Sequence, residues 1–122
     1  MNLQRIFEHA EGVQEFQSGA TVFEEGTTGD LMYVVLDGEL EIRTAAGFVD
    51  AIGPGDIVGE MALIDSEPRS ATLVAKSDCR IVPVDKKRFN FMVQETPFFA
   101  LHVMKILADR LRKRPVLKEH NL

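Results

Sequence analysis

From residue 13 to residue 56 the chain keeps interrupting its apolar runs with glycine. That punctuation constrains the fold more than any other feature of the sequence. The runs 13–16, 21–23, 31–36, 40–43 and 48–52 are short and rich in β-branched and aromatic residues. Between them stand Gly19, Gly26, Gly29-Asp30, Asp37-Gly38, Gly47 and the turn Gly53-Pro54-Gly55-Asp56. Short strands at close spacing, separated by residues that accept tight turns, read as a β-sandwich or barrel. Two more strands are expected at 72–75 and 81–84. Asp37-Gly38 is the strongest local hairpin signal. In 40–43 the apolar period is two, so Leu40 and Ile42 should face inward. Pro83 has no N–H to give a ladder and suits an edge position.

The ends of the chain have a different period. Leu3, Ile6, Phe7 and Ala10 are spaced as one face of a short amphipathic helix. From Lys86 onward, Phe89, Met92 and Val93 suggest a second helix. Thr96 can cap a third, with Pro97 as its first residue. That helix should run to about Arg114, where Pro115 opposes continuation. Its inward face is expected at Ala100, Val103, Met104, Leu107 and Leu111, widened by Phe98, Leu101, Ile106 and Ala108. So broad a stripe either completes the core or meets a ligand, a partner chain or the preceding helix. Residues 1–114 are expected to form one domain and 115–122 a loose tail.

Charge and cysteine content narrow the function classes. The formal charge is −5, which disfavours a nucleic-acid surface but leaves room for a local anion pocket. The basic cluster Lys105, Arg110, Arg112, Lys113 and Arg114 reads as a solvated helix end. One cysteine, Cys79, cannot form an internal disulfide, and no secretory signal is visible, so a cytoplasmic setting is expected. No apolar run approaches the ~20 residues that a membrane-spanning helix needs. A membrane protein, a disulfide scaffold, a metal-cluster protein and an autonomous DNA binder are all disfavoured.

Chemistry concentrates in residues 55–72. There Gly59-Glu60-Met61-Ala62-Leu63-Ile64 is followed by Pro68-Arg69-Ser70-Ala71-Thr72. A helical turn directly after Gly59 would present free backbone N–H groups. Arg69 offers two parallel hydrogen bonds to phosphate oxygens, and Ser70 a hydroxyl. Glu60 is a pure acceptor, suited to a sugar hydroxyl. A sugar hydroxyl beside a phosphate would satisfy the set. An internal Arg69–Glu60 ion pair around a turn would also satisfy it.

This segment resembles the phosphate-binding cassette of the cyclic-nucleotide-binding domain family, whose pattern is roughly F-G-E-x-A-L, a spacer, then P-R-x-A-T. Val58 stands where an aromatic is frequent. The resemblance extends to Gly29-Asp30-Leu31-Met32-Tyr33-Val34-Val35 with Gly38, to Gly53-Pro54-Gly55-Asp56, to Phe89, and to Ala108-Asp109-Arg110-Leu111. It covers residues 3–114. It implies a mainly β jelly-roll barrel with a short N-terminal helix and two C-terminal helices. It implies a cyclic nucleotide ligand and no separate cofactor. Arg69 would bind the cyclic phosphate, Glu60 the ribose 2′-hydroxyl, and Ser70 the phosphate again. Backbone amides near Gly59, Glu60, Met61, Ala62 and Ala71 would complete the cradle. Ile42, Val49, Met61 and Leu73 would wall the ribose and base. Arg114, near the end of the closing helix, would either contact the base or stand as a solvated cation at a helix C-terminus. Serine after the cassette arginine favours cAMP over cGMP. The implied role is a sensor whose C-terminal helices signal to a partner or an attached output domain.

Other classes fit less well. A cupin-type oxygenase needs histidines converging from the barrel strands, whereas His9, His102 and His120 lie near the chain ends. Cys79 has no histidine near it in sequence to activate it. The remaining alternative is a dimerisation or regulatory scaffold that keeps the fold and binds no nucleotide.

Overall fold

The third strand carries the architecture. Its run Met32-Tyr33-Val34-Val35-Leu36 is buried at every position. A strand alternates its side chains between two faces, so an unbroken buried run needs cover on both. Here Tyr33 and Val35 enter one apolar cluster, while Met32, Val34 and Leu36 enter another. The structure, a computed structural model, describes residues 2–47, 49–65 and 67–112.

Among the described residues, eight strands form two antiparallel four-stranded sheets. In chain order they are β1 (Gln14–Phe16), β2 (Thr21–Phe23), β3 (Met32–Asp37), β4 (Leu40–Arg43), β5 (Val49–Ile52), β6 (Ile57–Val58), β7 (Thr72–Ala75) and β8 (Cys79–Val84). The sheet orders are β1-β8-β3-β6 and β2-β7-β4-β5. Successive strands alternate between the sheets, as in a jelly roll, except β4 and β5, which pair with each other. Leu40, Ile42, Leu73, Ala75, Ile81 and Val58 fill the space between the sheets with Tyr33 and Val35.

The helices among the described residues are α1 (Leu3–Phe7), α2 (Met61–Ile64), α3 (Lys86–Glu95) and α4 (Phe98–Arg112). Leu3, Phe7, Phe99 and Val103 join Met32, Val34, Leu36, Ile57, Val82 and Val84 in the second cluster. Phe99 is fully buried, with ring centroids 6.4 Å from Phe7 and 5.4 Å from Phe89. Asp85 caps α3 through the Arg88 N–H. No helix among the described residues is long and apolar enough to cross a membrane.

Two details differ from the sequence expectation and one refines it. Asp37-Gly38 is not a hairpin, because β3 and β4 belong to different sheets. Gly38 has φ +87°, and a Cβ there would lie 2.3 Å from the Asp78 carbonyl and 2.6 Å from Cys79 Cβ. The glycine lets one connection between the sheets pass against another. Pro83 lies in a strand flanked by β1 and β3, but beyond the stretch that β1 pairs, so it is an edge residue locally. Helix α4 is also rotated relative to the expected face. Phe99 and Val103 are buried and Ile106 and Leu107 pack against them, while Met104 and Leu111 are exposed.

Candidate functional site

The Arg69 backbone is fixed before its side chain does anything. Its N–H donates to the Thr27 carbonyl at 2.7 Å, and its carbonyl accepts from Gly26 N–H at 2.8 Å. The Thr72 hydroxyl accepts from Glu25 N–H at 2.9 Å. The segment ahead of β7 is thus laced to the loop after β2. From that position the guanidinium turns inward. Nη2 donates to the Leu31 carbonyl at 2.9 Å and Nη1 to the Gly59 carbonyl at 3.3 Å. The guanidinium carbon lies 4.1 Å from the centre of the Phe23 ring, and that ring stacks on Tyr33.

Two glycines make room for this fork. A Cβ on Gly29 would lie 2.6 Å from Nη2, and one on Gly59 would lie 2.7 Å from Nη1. Gly59 also holds φ +78°, a conformation that suits glycine. Among the described residues, Arg69 has no carboxylate within ion-pairing distance. Its remaining N–H donors have no protein acceptor there. The site therefore presents a partly buried, preoriented cation with donors to spare, which is the electrostatic complement of a small anion. Burial pushes the Tyr33 phenol up, partly offset by the Arg69 charge, with Asp30 acting in the opposite sense to Arg69.

Glu60 stands at the N-cap of α2, and its side chain makes no capping hydrogen bond. The expected internal alternative, an Arg69–Glu60 ion pair, is not what forms. Glu60 Oε1 lies 3.7 Å from Arg110 Nη1, and Arg110 Nη2 donates to the Ile57 carbonyl at 2.6 Å. Arg110 therefore departs from the solvated helix end expected for the basic cluster. Its side chain is only 12% exposed.

The other candidates are distributed around this pair. Ser70 is exposed, next to Arg69 in the chain. Gly59, Ala62 and Ala71 are partly buried, and Met61 is exposed. Ile42 and Leu73 are register partners on β4 and β7 and are buried between the sheets, with Ala71, Phe23 and Leu31 packed against that cluster. Val49, at the start of β5, is 55% exposed and pairs with Arg43. Arg114 and the expected tail 115–122 lie outside the described residues. The structure thus brings Gly59, Glu60, Arg69 and Ala71 to one end of the barrel beside Ile42 and Leu73. Sequence reasoning missed three contributors: Phe23, the Leu31 carbonyl and Arg110. No local pattern marks the first two. Arg110 stands in the sequence only as part of the basic cluster and of the Ala108-Asp109-Arg110-Leu111 motif, and neither marks it as a partner of Glu60.

The family model for the cyclic nucleotide-binding domain matches residues 13–96. The chain belongs to this family. Among its relatives is the CRP-like cAMP-activated global transcriptional regulator of Mycobacterium tuberculosis, 29% identical over 104 residues, covering 81% of this chain and 46% of that protein. The catabolite activator protein of Thermus thermophilus superposes with a TM-score of 0.71 at 29% identity, over 83% of this chain and 50% of that one. A solved structure from work on a cyclic-GMP-dependent signalling pathway in bacterial phytopathogenesis gives a TM-score of 0.73 at 25% identity. It covers 84% of this chain and 85% of that one. The chain spans about half the length of the transcriptional regulator it matches.

As a cyclic-nucleotide-binding domain, the chain places its cassette in two structural settings. The arginine is held by the barrel. The glutamate sits at the junction with the C-terminal helices. Between the cassette helix and those helices lies a crevice of about 140 Å³, lined by Leu63, Ile64, Phe89, Val103 and Leu107 among others.

Proposed function

We propose that this domain is a non-enzymatic sensor that binds a cyclic nucleotide, cAMP in preference to cGMP. Arg69 takes the cyclic phosphate and Ser70 adds a hydroxyl. Backbone amides around Gly59, Glu60, Met61, Ala62 and Ala71 line the phosphate. Glu60 accepts from the ribose 2′-hydroxyl. Ile42, Val49, Met61 and Leu73 wall the ribose and base. The observation that carries this reading is the partly buried Arg69 guanidinium, clamped by two carbonyls and an aromatic ring with no carboxylate partner among the described residues. The preference for cAMP rests on Ser70 and on the cAMP-activated relative.

Signalling follows from movement of the C-terminal helices. Ligand on Arg69 and Glu60 tightens the cassette. Leu63 or Ile64 then shifts against the apolar face of Phe89, Leu107 and Leu111. The open crevice leaves room for that shift, and Ile64 is 67% exposed before it. Helix α4 closes over the ligand and passes the change to a partner or an attached output domain, as a two-state element biased by ligand contacts.

The test is calorimetric titration of the purified chain, freed of carried-over nucleotide, with cAMP and then cGMP. Dissociation constants of about 1 μM or tighter for cAMP, and weaker for cGMP, are expected. Binding of neither would leave a scaffold that keeps the fold without the ligand. Amide exchange over residues 86–112 should slow on binding. Identical exchange with and without ligand would remove the helix movement.

A further inference from the structure

Strand β2 carries an irregularity where it meets β7. Thr21 lies opposite Val74 and Phe23 opposite Leu73, so three residues of β2 span two of β7. Residues directly opposite share a face of the sheet. Leu73 and Ala75 enter the cluster between the sheets, and Val74, between them, points the other way. Regular pairing would set Val22 against Leu73 and Phe23 against Thr72, and would turn Phe23 outward. The bulge turns it inward, as bulges do where a side chain has to be re-aimed.

Inside, the Phe23 ring meets the cassette twice. Its centre lies 4.1 Å from the Arg69 guanidinium carbon, and a Cβ on Gly59 would lie 3.5 Å from its Cε2. The ring stacks on Tyr33 with centroids 6.1 Å apart and 24° between the planes, and Tyr33 is itself buried. It is therefore a fixed surface. What that surface adds follows from the shape of a guanidinium, whose N–H bonds all lie in one plane. The bonds from Nη1 to the Gly59 carbonyl and from Nη2 to the Leu31 carbonyl fix two edges of that plane. They leave it free to tilt about the line joining the two carbonyl oxygens. An aromatic face beneath the guanidinium carbon restrains the tilt, through the attraction of a cation for the ring.

We infer that Phe23 is a positioning residue for Arg69: the bulge in β2 seats an aromatic face under the guanidinium and so aims its remaining N–H groups at the ligand. The inference rests on the reading of Arg69 as the phosphate-binding residue. Phe23 acts through Arg69, so its effect falls on the phosphate and leaves the ribose contact alone.

The experiment uses the full chain with cAMP, its 2′-deoxy analogue and the two phosphorothioate diastereomers of cAMP, in which sulfur replaces one or the other exocyclic phosphate oxygen. Phe23→Leu keeps an apolar side chain and removes the ring face. It should weaken cAMP about threefold to tenfold and narrow the affinity ratio between the diastereomers by a similar factor. The ratio between cAMP and its 2′-deoxy analogue should stay as in the wild type. Phe23→Tyr, which keeps the ring, should bring affinity and diastereomer ratio back toward wild type. Equal losses for all the nucleotides in Phe23→Leu would mean that Phe23 serves the fold alone, and would overturn the inference. So would a Phe23→Tyr variant as weak as Phe23→Leu.

A second measurement needs no change at the ring, and it decides the matter should Phe23→Leu fail to fold. The Nε–H proton of Arg69, assigned by its loss in Arg69→Lys, should be displaced upfield by the ring current in the wild-type chain, with and without cAMP. An undisplaced proton would overturn the inference. A displacement that disappears on binding would overturn it too, since the ring would then hold the guanidinium only until the ligand arrives. Binding of no cyclic nucleotide by the wild-type chain would overturn the phosphate reading together with the inference. Wild-type binding with an unmoved diastereomer ratio in Phe23→Leu would overturn the inference alone.

Discussion

Arg69 and Glu60 sit ten residues or fewer apart in sequence, yet they are held by different parts of the molecule. Arg69 is held by the barrel: two backbone carbonyls, the Phe23 face and a loop bonded to its own backbone. Glu60 is held by a helix from the other end of the chain, through Arg110. The first setting is built from hydrogen-bonded sheet and turn, which opens only when the barrel does. The second is as firm as the docking of α4 on the barrel. On the proposed reading, such a site grips phosphate rigidly while its sugar contact answers to a movable element.

The comparison can be broken at either arm. The largest effect should come from the packing under α4. Phe99→Ala removes a fully buried ring lying between Phe7 and Phe89 and should lower stability by about 3–5 kcal/mol in denaturant unfolding. A loss below about 1 kcal/mol would show that α4 is not docked by packing, and the contrast would fail.

Next comes the rigid arm. Arg69→Ala should cost at least ~3 kcal/mol of binding, more than about a hundredfold, and should affect cAMP and its 2′-deoxy analogue alike. Titration comparing the two nucleotides reads this. Wild-type affinity in that variant would show that the pocket lies elsewhere.

A gentler change tests the aim of the same arm. Gly29→Ala puts a methyl group 2.6 Å from Nη2. The far end of a flexible side chain can move aside, so the melting temperature should stay within about 2 °C while affinity falls roughly tenfold. A matching fall in stability would mean that the loop, rather than the guanidinium, had been displaced.

The smallest binding effect belongs to the movable arm. Glu60→Ala should cost about 1–2 kcal/mol for cAMP and much less for the 2′-deoxy analogue. Equal losses would refute the ribose role and erase the distinction between the arms.

Much of this molecule could be read locally. The strands at 21–23, 40–43 and 72–75 coincide with the short apolar runs, because period and turn chemistry act over a few residues. The unbroken run before Asp37 correctly marks the most buried strand, although the run alone does not say that both of its faces are covered. The strand β6 was hidden because Ile57-Val58 is two residues long and runs directly into the cassette. The misread face of α4 has a similar cause. Apolar residues surround that helix, so periodicity alone could not choose Phe99 over Met104.

The candidate site was legible in its residue types and not in their partners. Gly59, Glu60, Arg69 and Ser70 announce anion and hydroxyl chemistry by kind and spacing. That Arg69 finds the Leu31 carbonyl 38 positions away, and Arg110 the Ile57 carbonyl 53 positions away, depends on how the barrel closes. Asp37-Gly38 shows the same limit. A hairpin signal describes a turn, and the sheets that its two strands join are chosen by partners far along the chain.

The sequence by itself determined the strand-and-turn rhythm, the helical ends and the chemical identity of the cassette, since each rests on interactions within a few residues. Only the tertiary structure decided that, among the described residues, Arg69 has no carboxylate partner while Glu60 pairs with Arg110. A charge's partner is set by which elements pack together, and packing is a property of the whole chain.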